Sequence, residues 1–108
     1  MFWDKVAGVY DVFVNVINRK THQKLKEIVS DLIEPDDMVL ECACGTGLLS
    51  AVIAPNCRQL TATDFSEKML KKAEENCAAF HNVTFSLADI TALSYADGSF
   101  DKVVAGNV

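Results

Sequence analysis

Short apolar segments that alternate with helical segments most strongly constrain how this 108-residue chain can fold. The apolar segments have the length of strands and span residues 38–42, 60–63, 83–87 and 100–105. Helices are predicted between them over residues 48–54 and 66–79, and Ser66 is the predicted N-cap of the second. The apolar face of that helix is predicted at Met69, Leu70, Ala73, Cys77 and Phe80. Because strands that alternate with helices form right-handed βαβ units, the pattern predicts an α/β fold with a parallel sheet.

The first third of the chain is predicted to be helical. Over residues 21–33 the apolar side chains recur with helical spacing, at Leu25, Ile28, Val29, Leu32 and Ile33. Pro35 ends this helix, because a proline disfavours helix in the residue before it. Residues 4–17 fit either a helix or a strand, and a helix is favoured because the segment is long and lacks turn residues. We therefore divide the chain into a helical segment, 1–34, and a core segment, 35–108.

Charge and composition exclude several classes of function. The chain carries 15 acidic and 10 basic residues, a formal net charge of −5, which argues against a nucleic-acid surface. It contains no apolar run of about 18 residues, so no membrane span is predicted. The first residues lack the pattern of a signal peptide, and we expect a cytoplasmic protein whose four cysteines stay reduced.

A glycine loop and three acids mark the predicted carboxyl edge of the sheet. The loop, residues 43–47, lies directly between a strand and a helix, where glycine lets the backbone approach a ligand. A tight turn without a ligand also fits this loop taken alone. Glu41, Asp64 and Asp89 each end a successive strand. Three carboxylates gathered at one edge repel one another, so the set indicates a ligand site more strongly than any one of them does.

Several segments together resemble one known family, the class I S-adenosylmethionine-dependent methyltransferases. Within it they are similar to the small-molecule enzymes of the ubiquinone and menaquinone biosynthesis type. The segments that carry the resemblance are residues 39–47, 64–70, 88–90 and 100–104, with the Tyr10-Asp11 pair before them. The resemblance implies a Rossmann-like, doubly wound parallel sheet with N-terminal helices, truncated after about four strands. The strand order it implies is 3-2-1-4, counted along the chain.

The family also implies a role for individual residues. Asp64 would hold the ribose hydroxyls, Phe65 and Met69 would pack on the adenosine, and Asp89 would accept from the adenine amino group. The main chain of Ile90 would meet the adenine ring edge, and Asn107 would lie near the reacting methyl group. The remaining implied cofactor contacts are Tyr10, Glu41, Ala43, Cys44, Gly45, Thr46 and Gly47. Ala43 stands where the family most often has its first glycine, and an alanine is tolerable there if its φ is negative.

The predicted function is methyl transfer from S-adenosylmethionine to a small-molecule acceptor. No catalytic base is named, because His22 on a polar helix face and His81 in a turn are interpreted as structural or solvated. The chain ends inside the fourth predicted strand, so it is interpreted as part of a longer protein and expected to be inactive alone. The open edge of that strand and a bare apolar sheet face would make the chain self-associate.

Three other interpretations stay open. A nicotinamide-dinucleotide oxidoreductase shares the loop and Asp64, although residues 45–50 lack its third small residue. A metal site would use the four cysteines, whose spacing does not match paired ligands and fits buried structural thiols better. A non-catalytic interaction module would use the basic stretch at Arg19, Lys20, His22, Lys24 and Lys26.

Overall fold

The computed structural model describes residues 8–12, 19–88 and 99–106. Its strands are β1 (Gly8–Val12), β2 (Met38–Cys42), β3 (Gln59–Asp64), β4 (Val83–Leu87) and β5 (Lys102–Gly106). Its helices are α1 (Arg19–Leu32), α2 (Leu48–Ile53) and α3 (Glu67–Asn76), and a 3₁₀ turn at Ala54–Asn56 follows α2. None of the helices in these ranges combines the length and the apolar character that crossing a bilayer demands.

The described strands form one parallel sheet in the order β1-β5-β2-β3-β4. The four predicted strands therefore lie in the order β4-β3-β2-β5, which confirms the predicted 3-2-1-4 arrangement. Glu41 on the central strand β2 is in register with Ala62 on β3 and Val104 on β5. The α/β, Rossmann-like fold class is confirmed by this topology.

Strand β1 corrects the helix predicted over residues 4–17. Gly8–Val12 pairs in parallel with β5 along its whole length, from Gly8 opposite Lys102 to Val12 opposite Gly106. The segment is rich in β-branched residues, so its local preference does not exclude a strand. Pairing with β5 gives the main chain of this segment hydrogen-bond partners that a helix would not use. The prediction of an open β5 edge is therefore wrong.

The prediction of a bare apolar sheet face is also wrong around β2 and β5. Leu40 and Cys42 are fully buried and Val103 is 1% exposed, and all three pack in one cluster with Phe100. The expected self-association rested on the open edge and on this bare face. Self-association stays a prediction, which neither an open edge nor a bare face now supports.

The larger core cluster lies on the other face of the sheet, beneath the helices. The apolar stripe of α1 contributes Leu25 and Val29, and Ile33 follows directly after the helix. The charged side chains of Lys24, Lys26, Glu27 and Asp31 on the same helix are exposed. Helix α3 contributes Leu70 and Ala73. The rest of the cluster is Val39, Cys44, Leu49, Val52, Ile53, Ala54, Cys57, Leu60, Ala62 and Val104.

At the amino end of the sheet, side chains tie β2 to β5. Lys102 Nζ donates to Asp37 Oδ2 at 2.7 Å, and both side chains are largely buried. The same Asp37 oxygen accepts from the Glu34 N–H at 2.9 Å. Asp101 Oδ2 accepts from the Met38 N–H at 2.8 Å, and the Asp101 N–H donates back to the Met38 carbonyl. These bonds fix the strands that carry the opposite, carboxyl end.

Candidate functional site

The glycine loop leaves β2 with three residues in the left-handed region. The φ angles are +57° at Ala43, +57° at Gly45 and +84° at Gly47. The φ of Ala43 is positive, so the condition under which an alanine is readily tolerated at this position is not met. Two main-chain bonds hold this turn: the Cys44 N–H donates to Thr63 O at 2.9 Å, and the Gly47 N–H donates to Cys44 O at 3.1 Å.

Gly47 is required by its surroundings as well as by its φ. A Cβ at this position would lie 3.0 Å from both Cα and Cβ of Ala73 and 3.2 Å from Cys77 Sγ. The absence of a side chain therefore lets the start of α2 approach α3 closely. This contact sets the distance between the glycine loop and the helix behind it.

Asp64 joins the glycine loop to the start of α3. Its Oδ2 accepts from the Gly45 N–H and its Oδ1 accepts from the Ser66 N–H, each at 2.9 Å. The carboxylate is 5% exposed. Because a carboxylate offers about four acceptor positions, these two bonds orient it and leave capacity for a ligand. Ser66 also caps α3, since its Oγ accepts from the Met69 N–H at 3.3 Å.

A cleft of about 330 Å³ opens beside this carboxylate, and it is lined by Ala43, Gly45, Asp64, Phe65, Ser66 and Met69. Phe65 is 80% exposed and Met69 is 41% exposed, which is unusual for large apolar side chains. Met69 was predicted on the buried face of α3, and the structure instead turns it towards the cleft, while Leu70, Ala73 and Cys77 are buried as predicted.

Glu41 lies outside the lining of this cleft and is completely buried. Its Oε1 accepts from Ser50 Oγ at 2.5 Å, and its Oε2 is buried without a hydrogen-bond partner among the described residues. Burial, against the lowering effect of the Ser50 bond and together with the nearby Asp64 charge, raises the pKa of Glu41 to about 8. The site thus contains a buried acid with one oxygen left unsatisfied.

The remaining predicted contacts lie in four different settings. Cys44 is buried, and burial with the Glu41 and Asp64 charges raises its pKa to about 12, so the loop contributes its main chain rather than this thiol. Thr46 is exposed. Tyr10 lies on β1 opposite Val104, and Asp89, Ile90 and Asn107 fall outside the described residues.

Two functional candidates were missed from the sequence. Ser50 orients Glu41 from α2, and Asn76 at the end of α3 donates from Nδ2 to Thr46 O at 2.8 Å. A small polar residue on the buried face of a short helix was a usable signal for Ser50. Nothing in the local sequence marks Asn76, because its partner lies 30 residues away.

The described residues contain no group of three or more side chains that could hold a metal ion, and their four cysteines are free and buried. A shallow groove of about 370 Å³ on α1 is lined only by polar side chains of that one helix, Gln23, Lys26, Glu27, Ser30 and Asp31.

Comparison with known proteins identifies the family. Residues 39–108 match the family described as "Methyltransferase domain". The chain belongs to the class I S-adenosylmethionine-dependent methyltransferases. S-adenosylmethionine is the cofactor of this family, and the resemblance noted in the sequence is confirmed.

Individual methyltransferases place the chain within that family. Demethylmenaquinone methyltransferase from Staphylococcus aureus is 31% identical over 110 residues, which cover 96% of this chain and 45% of that protein. The chain thus spans about half the length of this curated relative.

Two solved structures share the fold. Phosphoethanolamine N-methyltransferase 1 from Haemonchus contortus, solved with phosphoethanolamine and S-adenosylhomocysteine, aligns with a TM-score of 0.68 and 27% identity, covering 77% of this chain and 19% of that one. YcgJ from Bacillus subtilis aligns with a TM-score of 0.70 over 78% of this chain and 37% of its own, and its 21% identity supports the fold alone.

Proposed function

We propose that the protein containing this chain transfers a methyl group from S-adenosylmethionine to a small-molecule acceptor. The observation that carries the proposal is the Asp64 carboxylate. It ends β3, is oriented by the Gly45 and Ser66 N–H groups, and borders a cleft whose apolar wall includes the exposed Phe65. In parallel sheets, ligands bind at this carboxyl edge of the strands.

The residues present fit the cofactor's chemistry. The free acceptor capacity of Asp64 suits the two hydroxyls of a ribose, and Phe65 and Met69 offer an apolar surface to a purine. The loop at Ala43 and Gly45 presents main chain at the same cleft, where the methionine part of the cofactor would lie. Thr46, Gly47 and Cys44 would contribute through the backbone of that loop.

The buried oxygen of Glu41 supports a polar group nearby. A buried polar atom without a partner among the described residues is costly to folding, so its presence calls for an explanation. We propose that Glu41 contacts the methionine part directly or through water. Tyr10, Asp89, Ile90 and Asn107 remain in the proposed contact set on the resemblance alone.

The chain's own contribution to the reaction is positioning. When bound, S-adenosylmethionine supplies an activated methyl group on a sulfonium, so the difficult chemistry belongs to the cofactor. Asp64 and the loop would hold that group at one place, and the apolar wall would exclude water from it. Such alignment supplies up to about 7–11 kcal/mol of a reaction barrier.

The acceptor is proposed at the level of its class. Relatives named for methylating demethylmenaquinone and phosphoethanolamine support a small molecule, and the net charge of −5 speaks against nucleic acid. We propose that this chain alone binds the cofactor without transferring the methyl group, since it spans 45% of the demethylmenaquinone methyltransferase. A cytoplasmic location remains our expectation, and the free thiols support it.

The alternatives have less support. In the nicotinamide interpretation, position 50 would need a residue that lets helix and strand pack closely. Ser50 occupies it and is engaged by Glu41, and the family match is to methyltransferases. The interaction module would use the exposed Lys24 and Lys26 of α1, which a solvated helix face explains equally well.

Calorimetry with S-adenosylhomocysteine, and with NAD in parallel, tests the proposal on this chain. We expect binding of the former alone. Asp64→Asn should weaken it by about 1.5–3 kcal/mol, because a charged acceptor for the ribose hydroxyls is lost. Asp36→Asn, in an exposed turn, is the matched control and should change nothing. If both variants bind S-adenosylhomocysteine with equal affinity, the role given to Asp64 is wrong. If the chain binds NAD alone, the oxidoreductase interpretation is favoured.

A further inference from the structure

Helix α3 touches the glycine loop at its carboxyl end through two consecutive side chains. Asn76 Nδ2 donates to Thr46 O at 2.8 Å, and Cys77 Sγ donates to Gly47 O at 3.5 Å. Consecutive loop carbonyls are therefore both turned towards α3. A thiol is a weak donor, so the amide of Asn76 is the stronger of the two restraints.

The Asn76 bond completes the restraint of one peptide unit. The peptide between Thr46 and Gly47 has its oxygen held by Asn76 and its N–H donated to Cys44 O at 3.1 Å. With both polar atoms engaged, this peptide cannot rotate without losing two hydrogen bonds. The φ of +84° at Gly47 is the conformation that this orientation requires.

Asn76 and Asp64 restrain adjacent residues of the loop. Asp64 holds the N–H of Gly45, and Asn76 holds the carbonyl of Thr46. Helix α3 also supplies Met69 and its N-cap Ser66 to the cleft wall. One rigid helix thus borders the adenosine side of the cleft at its start and holds the glycine loop at its end.

We propose that Asn76 is a positioning residue that pre-arranges the glycine loop for the methionine part of the cofactor. It does not line the cleft, so it acts through the Thr46–Gly47 peptide rather than by contact. Restraining a loop in its bound shape raises affinity by lowering the ordering cost of binding. The inference rests on the proposed function and assigns a new role within the same site.

The test compares two ligands on the 108-residue chain. Asn76→Asp is isosteric but cannot donate to Thr46 O. It should weaken S-adenosylhomocysteine binding by about three- to tenfold, the range expected for one hydrogen bond. Adenosine lacks the homocysteine part and contacts only the other side of the cleft, so its affinity should stay within about twofold. Asn76→Gln retains the amide and should recover part of the loss.

Asn56 provides the matched control. Its Nδ2 donates to Val52 O at 2.9 Å, the same bond in a place remote from the loop. Asn56→Asp should therefore lower the unfolding temperature as Asn76→Asp does, and leave both affinities unchanged. If Asn76→Asp weakens adenosine as much as S-adenosylhomocysteine, or weakens neither, the positioning role is wrong. If the unaltered chain binds neither ligand, the proposed function fails and this inference with it.

Discussion

Each end of the sheet has a buried acid, and the pKa values of these two acids are shifted in opposite directions. At the amino end, Asp37 meets the Lys102 ammonium and the Glu34 N–H. Burial alone would raise its pKa, but these hydrogen bonds and the Lys102 charge together hold the pKa of Asp37 below its usual value. At the carboxyl end, Glu41 has one hydroxyl partner and one oxygen without any, and its pKa rises to about 8.

The difference separates stability from function at the two ends of β2. Asp37 directly precedes β2, and Glu41 lies within it, four positions further along the chain. The Asp37 side chain is paired and ties β2 to β5, whereas one oxygen of Glu41 has no partner among the described residues. An uncompensated buried acid, a loop with three positive φ angles and an exposed phenylalanine therefore all concentrate at the carboxyl end.

The largest expected effect tests the close approach at the carboxyl end. Gly47→Ala adds a methyl group 3.0 Å from Ala73 and strains a φ of +84°. Strain and overpacking together should lower the free energy of unfolding by about 3 kcal/mol. Thr46→Ala alters an exposed side chain one residue earlier and should change it by no more than about 0.5 kcal/mol. Urea unfolding of both variants measures this, and a loss below about 1 kcal/mol for Gly47→Ala would contradict the packing described.

The next largest expected effect tests the ion pair at the amino end of the sheet. Asp37→Asn removes the charge that faces Lys102 and should cost about 2 kcal/mol, between the values for exposed and fully buried pairs. Affinity for S-adenosylhomocysteine should not change, because the bond lies at the far end of the sheet. Asp36→Asn, exposed and adjacent, is the control. A large loss of affinity in Asp37→Asn would mean that the two ends are not independent.

The two acids also predict opposite pH trends. Glu41 keeps its proton in the folded state to about pH 8 but loses it near pH 4.5 when unfolded, so folding stability should fall as pH rises between these values. The slope is at most about 1.4 kcal/mol per pH unit. Asp37, with its lowered pKa, contributes stability that is lost as the pH falls through the acid range.

Glu41→Gln should abolish the fall in stability between pH 4.5 and pH 8, because the amide cannot ionise. Asp37→Asn should remove only the loss of stability at acid pH that Asp37 causes. Unfolding free energies of the unaltered chain and of the two variants, measured up to pH 8, separate the contributions of Glu41 and Asp37. A fall between pH 4.5 and pH 8 that persists in Glu41→Gln would assign it to another group.

The sequence correctly predicted those parts of the molecule that depend on the local periodicity of apolar residues. Strand and helix periodicity located β2 to β5 and the buried stripe of α1, and the parallel order followed from the family resemblance. Asp64 was identified because it ends a strand beside a glycine loop. The sequence pattern failed where the structure or role of a residue depends on a partner that is distant in the sequence. The segment at Gly8–Val12 becomes a strand by pairing with β5, and Asn76 matters through a carbonyl 30 residues away.

The smallest expected effect concerns Ala43, whose φ is positive. An alanine at φ +57° costs about 1–2 kcal/mol relative to the right-handed region. Ala43→Gly relieves that strain. Glycine also raises the conformational entropy of the unfolded chain, which lowers the free energy of unfolding by about 0.4–1 kcal/mol. The net result should be a stabilisation of about 0.5–1 kcal/mol.

Ala51→Gly is the control, because it makes the same chemical change inside α2, where it should destabilise the chain by about 1 kcal/mol. Opposite signs for one substitution, measured by urea unfolding, would locate the strain in the loop, whereas a destabilised Ala43→Gly would show that the alanine is relaxed there.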